Sequence, residues 1–553
     1  MVWLLSPFVV PRMFVSLVDG SPPTPKRSTQ RAAGFTSDAA GRNPTATDAR
    51  PDNYAIHHPV ARRTTSSATS ESSSEPVVPL DLPRDLRFSL ASSAVSAHAS
   101  DSYAAAAWLA GQRVLSRSLK YHRPRGAFCM EGHCSGCLVR INGVPNLRAC
   151  QASCRDGTSV ETQNAFPSAG FDILGAVDQV YRRGMDHHTL MTSATVLNKV
   201  ANRVVRALSG IGKLPTVSIS ANDSDTGQAV VHVDIDVAVI GGGPSGLAAA
   251  AHIAAAGRSV VVLDEQLELG GSYLADVRFG RAAAAGAISA AADAGAMLLA
   301  QTTVIGYFPE PGNIRQGVMI ACHGAGHGQW RESTLLRIHA KHWLWATGGY
   351  ASNLPFDNND RPGVIAARAA ARLLAAHDVV AGEQVVMIVD GARGGAAASE
   401  VRRHAAALGD ALTTHGATVR TVVLADVAAA ATTLLGNEVT SIELHSGERI
   451  DCDTVAVVAL PAPASEGPRM QGCAVDLNPD IGGYAVVVDG NGRTSVQGAY
   501  AAGDVTGFVG PAAAALHGAT IAAVLLTDLA STETKIKHAL EHTSEHAEQS
   551  HVE

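Results

Sequence analysis

Four cysteines between positions 129 and 150 constrain this chain more than any other feature. Cys129, Cys134, Cys137 and Cys150 stand as C-x4-C-x2-C-x12-C within RSLKYHRPRGAFCMEGHCSGCLVRINGVPNLRAC, residues 117–150. Three thiols in one short loop, with the fourth beyond a strand-length segment, is a spacing in which four thiolates hold a two-iron cluster. A loop that turns several sulfurs onto one small inorganic centre needs little side-chain bulk, and Gly132, Ser135 and Gly136 supply the slack. Backbone N–H groups freed by such a loop can bond the sulfurs and tune the centre. Tetrahedral zinc is the rival occupant. Zinc ribbons pair two C-x2-C knuckles, however, and Cys134 to Cys137 is a single one. A Rieske-type centre needs two His ligands, and this loop contains His133 alone. Cys154, four residues past Cys150, is an alternative fourth ligand.

Composition narrows the class. The chain has 553 residues, enough for two or three domains. Its 53 glycines, abundant alanine and 46% hydrophobic content suit an α/β protein with close helix–sheet contacts. Aromatics are 5%, and no run of residues forms a basic strip, which argues against a nucleic-acid reader. A net charge of −7 implies a mildly acidic soluble protein. The other cysteines, Cys154, Cys322, Cys452 and Cys473, are scattered as in a reducing compartment. The expected location is cytoplasmic.

Residues 1–20 are apolar but interrupted by Pro7, Pro11 and Arg12, too short and broken for a spanning helix. The Ser/Thr/Pro/Ala-rich stretch that follows carries too little apolar surface to offset chain entropy. The whole of 1–83 is therefore expected to be a disordered or targeting extension, or the product of a start placed too far upstream. Order is expected from Leu86. Leu86–Leu90 alternates like a strand, Tyr103–Gly111 reads as a short Ala-rich helix closed by glycine, and Asn142-Gly143 is a hairpin signal. Strand, helix, cysteine loop and hairpin make a small β-grasp-like domain at 84–165. A connector with helical patches around 195–208 and an SGIGKLP punctuation at 209–215 fills 166–233. Its Asp186-His187-His188 reads as a solvated polar cluster.

A second constellation begins at Asp234. IDVAVIGGGPSGLAAAAHIAAAGRSVVVLDE reads strand, glycine turn, helix, strand. Gly241, Gly243 and Gly246 form G-x-G-x-x-G, with Pro244 and Ser245 opening the helix, whose N-terminus favours a pyrophosphate. Asp264, with Glu265 beside it, ends the next strand, where a carboxylate can accept bonds from ribose hydroxyls. Gly271 follows where the backbone can pass close to a cofactor. Trp343-Leu344-Trp345 leads into Ala346-Thr347-Gly348, a small-residue turn suited to lie under a dinucleotide. GAYAAGDVTG then places Gly503 and Asp504 near the ribityl or pyrophosphate region. A nested second nucleotide fold is expected at about 383–426. There the motif decays: Gly391 is present, but Arg393 holds the second-glycine position and Ala396 the third, so NAD(P) binding is possible rather than indicated. The fold class expected is α/β, with the dinucleotide domain at 234–530 and a polar tail at 531–553. That tail is read as a frayed helix or disorder, its four His (538, 542, 546 and 551) on a solvated face.

Taken together, RSLKYHRPRG with the cysteine loop, IGGGPSG, ATGGY with FDNNDRPGV (356–364), and AAGDVTG resemble the α-type subunits of heteromeric amine and imino-acid dehydrogenases and oxidases. That group includes sarcosine oxidase, opine oxidase, dye-linked proline dehydrogenases and hydrogen cyanide synthase. The resemblance covers about 84–530. It implies a ferredoxin-like domain fused to a two-dinucleotide-domain fold of the pyridine nucleotide-disulfide reductase type. It also implies FAD, a 2Fe-2S cluster and an FAD-dependent D-amino-acid-oxidase-like β subunit as partner. In some relatives the main dinucleotide site holds NAD or ATP instead. Sarcosine oxidase α subunits continue into a long C-terminal folate-related domain beyond the region shared here.

No residue pattern resembles a substrate-oxidising centre, and no redox C-x-x-C stands beside the first glycine motif. The reading that follows is an electron-transfer subunit. A partner oxidises an amine, imino acid or amino acid, and this chain passes electrons to an external acceptor. A self-contained NAD(P)H-dependent ferredoxin-type reductase and a nucleotide-binding structural subunit are the alternatives.

Overall fold

The computed structural model describes residues 83–549, apart from 120, 176–194, 197, 200–229, 311–312, 325–332, 392–393 and 433–436. The expected extension up to Leu82, Asp186-His187-His188, the 209–215 punctuation, most of the helical patches at 195–208, Arg393 and His551 lie outside the described residues, as do the side chains of His538, His542 and His546.

The cysteine loop belongs to a five-stranded sheet. β1 (Leu86–Leu90) and β2 (Ser93–Ala97) form a hairpin. The alternation read in the sequence turns Phe88 and Leu90 into the core. α1 (Tyr103–Leu109) follows, its first turn capped by the Ser102 hydroxyl, which accepts from the Ala105 N–H. β3 (Leu138–Ile141) and β4 (Val144–Arg148) make the expected hairpin, with Asn142 and Gly143 both at positive φ. β5 (Ser159–Glu161) completes the spatial order β2-β1-β5-β3-β4, and its parallel pairing with β1 gives the grasp.

The main nucleotide fold starts at β6 (Val230–Ile240), four residues before the Asp234 expected as its start. The extra residues pair with residues 335–338, about a hundred positions on, a partner that local periodicity does not reveal. α2 (Pro244–Ala255), β7 (Val260–Leu263), α3 (Gly280–Asp293) and β8 (Met297–Leu299) follow. β9 (Thr302–Glu310), β10 (Asn313–His323) and β11 (Thr334–Trp345) form an antiparallel meander. The strand order is β8-β7-β6-β11, with the first half of β11 carrying β10 and β9. Its second half, Trp343–Trp345, pairs in parallel with residues 499–501, far along the chain.

The second nucleotide fold is larger than the 383–426 expected. β12 (Val364–Ala366) runs into α4 (Ala367–His377). β13 (Gln384–Val389), α5 (Gly395–Thr414), β14 (Thr418–Val423) and β15 (Thr454–Val458) follow. Together they give a four-stranded parallel sheet of order β12-β15-β13-β14. Its two extra strands come from either side of the local strand–helix–strand unit. The chain returns to the main sheet as β16 (Ala499–Ala501) and enters α6 (Pro511–Gln549), which continues as helix through most of the 531–553 tail, one of the two states expected for it. Residues 511–534 of α6 are long and apolar enough to cross a bilayer. Ile521, Ala522, Leu525 and Leu529 pack in one core with Leu247, Ala250 and Ile253 of α2, so one face of this stretch is buried in the protein.

The β-grasp unit is welded to the second nucleotide fold. Phe88, Trp108 and Val139 share a continuous apolar core with Ile365, Leu373 and Leu408. The Trp108 indole N–H donates to the Ala381 carbonyl at 2.8 Å, and the Ala366 N–H donates to the Phe128 carbonyl at 3.0 Å. Burial of this extent fixes the cysteine loop against the nucleotide domains.

Candidate functional site

Hairpin register gathers the sulfurs. Pairing of Leu138 with Arg148 leaves Cys137 just before the hairpin and Cys150 in the single turn after it. Their Sγ atoms lie 3.5 Å apart. At the other end of the loop the Sγ atoms of Cys129 and Cys134 are 3.4 Å apart. The N–H groups of Glu131 and Cys134 point at the Cys129 sulfur from 3.4 and 3.5 Å. Cys129 also reaches Cys150, so the four free thiols form one nest. The neighbouring Cys134 and Cys150 thiols, and then the backbone donors, hold the Cys129 thiol far below its usual range.

The paired arrangement bears on the occupant. Two sulfur pairs within one nest suit two irons bridged by sulfide. Cys150, not Cys154, is the cysteine whose sulfur meets Cys137, whereas the Cys154 N–H donates to the Asp101 carbonyl at 2.9 Å. The geometry therefore favours Cys150 as the fourth donor. His133 is no ligand either. Its ring packs at a tilt against Tyr350 with centroids 4.0 Å apart, its Nδ1 lies 3.7 Å from Glu265, and burial holds its pKa down.

A cavity of about 410 Å³ adjoins this loop, within the size range of cofactor sites. Its walls include Gly241, Gly243, Pro244, Ser245, Asp264, Glu265, Gly271, Thr347, Gly348 and Asp504. Gly246 and Gly503, also expected at the site, lie behind the wall. A Cβ on Gly246 would sit 1.9 Å from the Gly241 carbonyl oxygen, so this glycine lets α2 press on the end of β6. Gly241, at φ +109°, has the Ala346 oxygen 2.2 Å from where a Cβ would be, which draws the ends of β6 and β11 together beneath the cavity. Asp264 has a bracing role: its Oδ2 accepts from the Gly242 N–H at 2.6 Å and its Oδ1 from the Gln266 N–H at 2.8 Å. Burial pushes its pKa up. The Asp504 Oδ1 likewise accepts the Val509 and Gly510 N–H groups.

Buried polar atoms without partners test whether a dinucleotide fits. The Ser245 hydroxyl, in the first turn of α2, is buried and bonds to nothing. Arg372 Nε and Glu131 Oε2 are in the same condition, and all three residues wall the cavity. Buried orphans cost stability unless a ligand or water satisfies them. A hydroxyl, a free helix N-terminus and an arginine around one cavity match a pyrophosphate with its sugars. The residues present fit such a group.

Several of these wall residues carried no assignment in the sequence. Arg368 and Arg372 stand one turn apart on α4, the signal being two isolated arginines four positions apart in an Ala-rich apolar helix. Glu131 stands between two cysteines and Tyr350 closes ATGGY, positions that carry no local signal of a site role. Tyr350 OH donates to Glu466 at 2.6 Å, and burial pushes its pKa up.

Fold and site define the class: a 2Fe-2S cluster-binding domain joined to an FAD-dependent oxidoreductase fold. Residues 84–165 match the family of 2Fe-2S iron-sulfur cluster binding domains. Residues 236–279 match FAD dependent oxidoreductases, and 362–523 match pyridine nucleotide-disulphide oxidoreductases. More particularly, the chain is similar to the sarcosine oxidase α subunit of Rhizobium meliloti, 32% identical over 381 residues. That match takes in 65% of this chain and 38% of the relative, so the chain spans well under half the length of that protein. A shorter match, 46% over 54 residues, is to the hydrogen cyanide synthase subunit HcnA of Pseudomonas aeruginosa, covering 10% of this chain and 51% of that one. In structure the chain is similar to an L-proline dehydrogenase from P. horikoshii, with a TM-score of 0.56 at 18% identity, over 80% of this chain and 74% of that one. This last likeness concerns the fold alone.

Proposed function

We propose that this chain is the electron-transferring subunit of a heteromeric dehydrogenase or oxidase acting on an amine, imino acid or amino acid, of sarcosine, proline, opine or glycine type. An FAD-dependent β subunit would carry substrate oxidation. The observation that carries the reading is a shared wall: Glu131 and His133, from inside the cysteine loop, line the same cavity as the glycine turn of β6 and α2.

When bound, FAD would supply two-electron chemistry and the 2Fe-2S cluster one-electron transfer to an external acceptor. Cys129, Cys134, Cys137 and Cys150 would hold the cluster. Gly241, Gly243, Pro244 and Ser245 would take the pyrophosphate, and Asp264, Glu265 and Asp504 would line the sugar and ribityl path beside Gly271, Thr347 and Gly348. Gly246 and Gly503 support that wall from behind. The apolar core shared by the β-grasp and the second nucleotide fold keeps the two sites at fixed separation. The family relationship to sarcosine oxidase α subunits supports the amine assignment and the heteromer.

The test is the visible spectrum, the metal and acid-labile sulfide content and the dithionite-reduced EPR spectrum of anaerobically purified protein. Flavin together with about two irons and two sulfides per chain is the expected result. Zinc, or a colourless protein, would overturn the reading. The parallel sheet of the second nucleotide fold keeps one rival, a self-contained NAD(P)H-dependent reductase. Bleaching of the flavin by NAD(P)H without any partner would favour that rival.

A further inference from the structure

Glu131 is the junction at which the two candidate cofactor sites touch. Its N–H donates to the Cys129 sulfur at 3.4 Å. Its carbonyl accepts the Gln266 side-chain N–H at 2.8 Å. The Gln266 backbone N–H is bound to Asp264, and Asp264 is bound to the Gly242 N–H of the glycine turn. A hydrogen-bonded chain therefore runs from the turn beneath the cavity to a sulfur of the nest. The Glu131 carboxylate is 5% exposed. Its Oε1 accepts from Arg368 at 3.0 and 3.3 Å, while Oε2 has no partner. Both residues wall the cavity. Helix α4 presents the arginine from a different domain, so the pair is long-range and is not demanded by the loop.

We propose that Glu131 and Arg368 are positioning residues that couple occupancy of the cavity to the reduction potential of the cluster. The inference rests on the reading above, in which FAD fills the cavity and the quartet holds 2Fe-2S. A hydroxyl or N–H donor of the dinucleotide bonds the free Oε2. The response reaches the sulfur through the Glu131 N–H, because backbone donors on cluster sulfurs set the potential. Charge sets a sign for each variant. Adding an electron to the cluster is opposed by a nearby carboxylate and favoured by a nearby guanidinium. Glu131→Gln keeps the shape, removes the negative charge and leaves Arg368 uncompensated, so the potential rises. Arg368→Met leaves the carboxylate uncompensated, so the potential falls.

The experiment is an EPR-monitored potentiometric titration of the full chain, flavin-loaded and flavin-stripped, for wild type and both variants, with iron content and far-UV circular dichroism checked first. Wild type should change its reduced-to-oxidised ratio at fixed potential by about tenfold on loading, equivalent to about 59 mV for one electron. Glu131→Gln should abolish most of that response, and the two variants should shift in opposite directions. If Arg368→Met fails to fold, Glu131→Gln decides alone. A loading response of unchanged size in Glu131→Gln, no response in wild type, or variant shifts of the same sign would overturn the inference. A protein with no rhombic cluster signal would instead overturn the underlying reading.

Discussion

Cys137 and Cys150 meet, sulfur to sulfur at 3.5 Å, because Leu138 pairs with Arg148 across a hairpin closed by Asn142 and Gly143. The turn and the register shift between Val139 and Ile141 together set that pairing. A one-residue slip would turn the paired side chains to the opposite face.

This relationship gives the first prediction. Cys137→Ser should lose at least half the bound iron and the reduced EPR signal. Cys154→Ser should keep both, because Cys154 lies beside Asp101, away from the quartet. Iron analysis of the two variants side by side checks it, and loss of iron from Cys154→Ser would reverse the ligand assignment.

Ser245→Ala should act with opposite signs in the free and loaded protein. The buried hydroxyl has no partner within the chain, so its removal should leave the flavin-free protein as stable as before or raise its stability by about 1 kcal/mol. In the loaded protein the same change should weaken FAD by about fivefold, the value of one lost hydrogen bond. Thermal melts with and without FAD, and a flavin titration, separate the two effects.

Two glycine-to-alanine changes should also diverge. At Gly246 the new methyl would lie 1.9 Å from the Gly241 oxygen, backbone against backbone. Destabilisation of at least about 1–3 kcal/mol and loss of flavin are expected. Gly286, within α3, has nothing within 4 Å and lies exposed. Alanine there should stabilise by about 0.5–1 kcal/mol through helix propensity. Melting temperature and flavin content per mole of protein measure both.

Stability should fall on the acid side through Asp276. Burial alone would raise its pKa, but hydrogen bonds from Arg278 and His404 outweigh burial and hold the carboxyl well below its ordinary value. A group depressed in the folded state contributes fully above the unfolded pKa of about 3.9, and its contribution is lost as pH falls from there toward the folded value. Asp276→Asn should lower the melting temperature at pH 6 and flatten its decline below about pH 4. An unchanged acid slope in the variant would show that other carboxylates set it.

The local pieces were legible because local chemistry specifies them. Cysteine spacing, the Asn142-Gly143 turn, the alternation of Leu86–Leu90 and the strand–glycine–helix run from β6 to α2 each follow from short-range geometry. What escaped was pairing at a distance. β6 begins at Val230 because it meets β11 a hundred residues later, and the second nucleotide sheet outgrew 383–426 because β12 and β15 arrive from either side of it. Arg368 reads as one cation in an alanine helix until α4 is docked on the cysteine loop.

By itself, then, the order of residues determined the donors: four thiols in a loop, a glycine turn at a helix N-terminus, and acids at strand ends. Backbone rotation limits and side-chain chemistry act within a few residues, so a linear chain expresses them directly. Only the tertiary structure decided which wall each donor faces, that Cys150 rather than Cys154 joins the quartet, and that Glu131 touches both a cysteine sulfur and an arginine 237 positions away. Those outcomes depend on burying apolar surface between distant segments, and the surfaces that meet do not exist until the chain has folded.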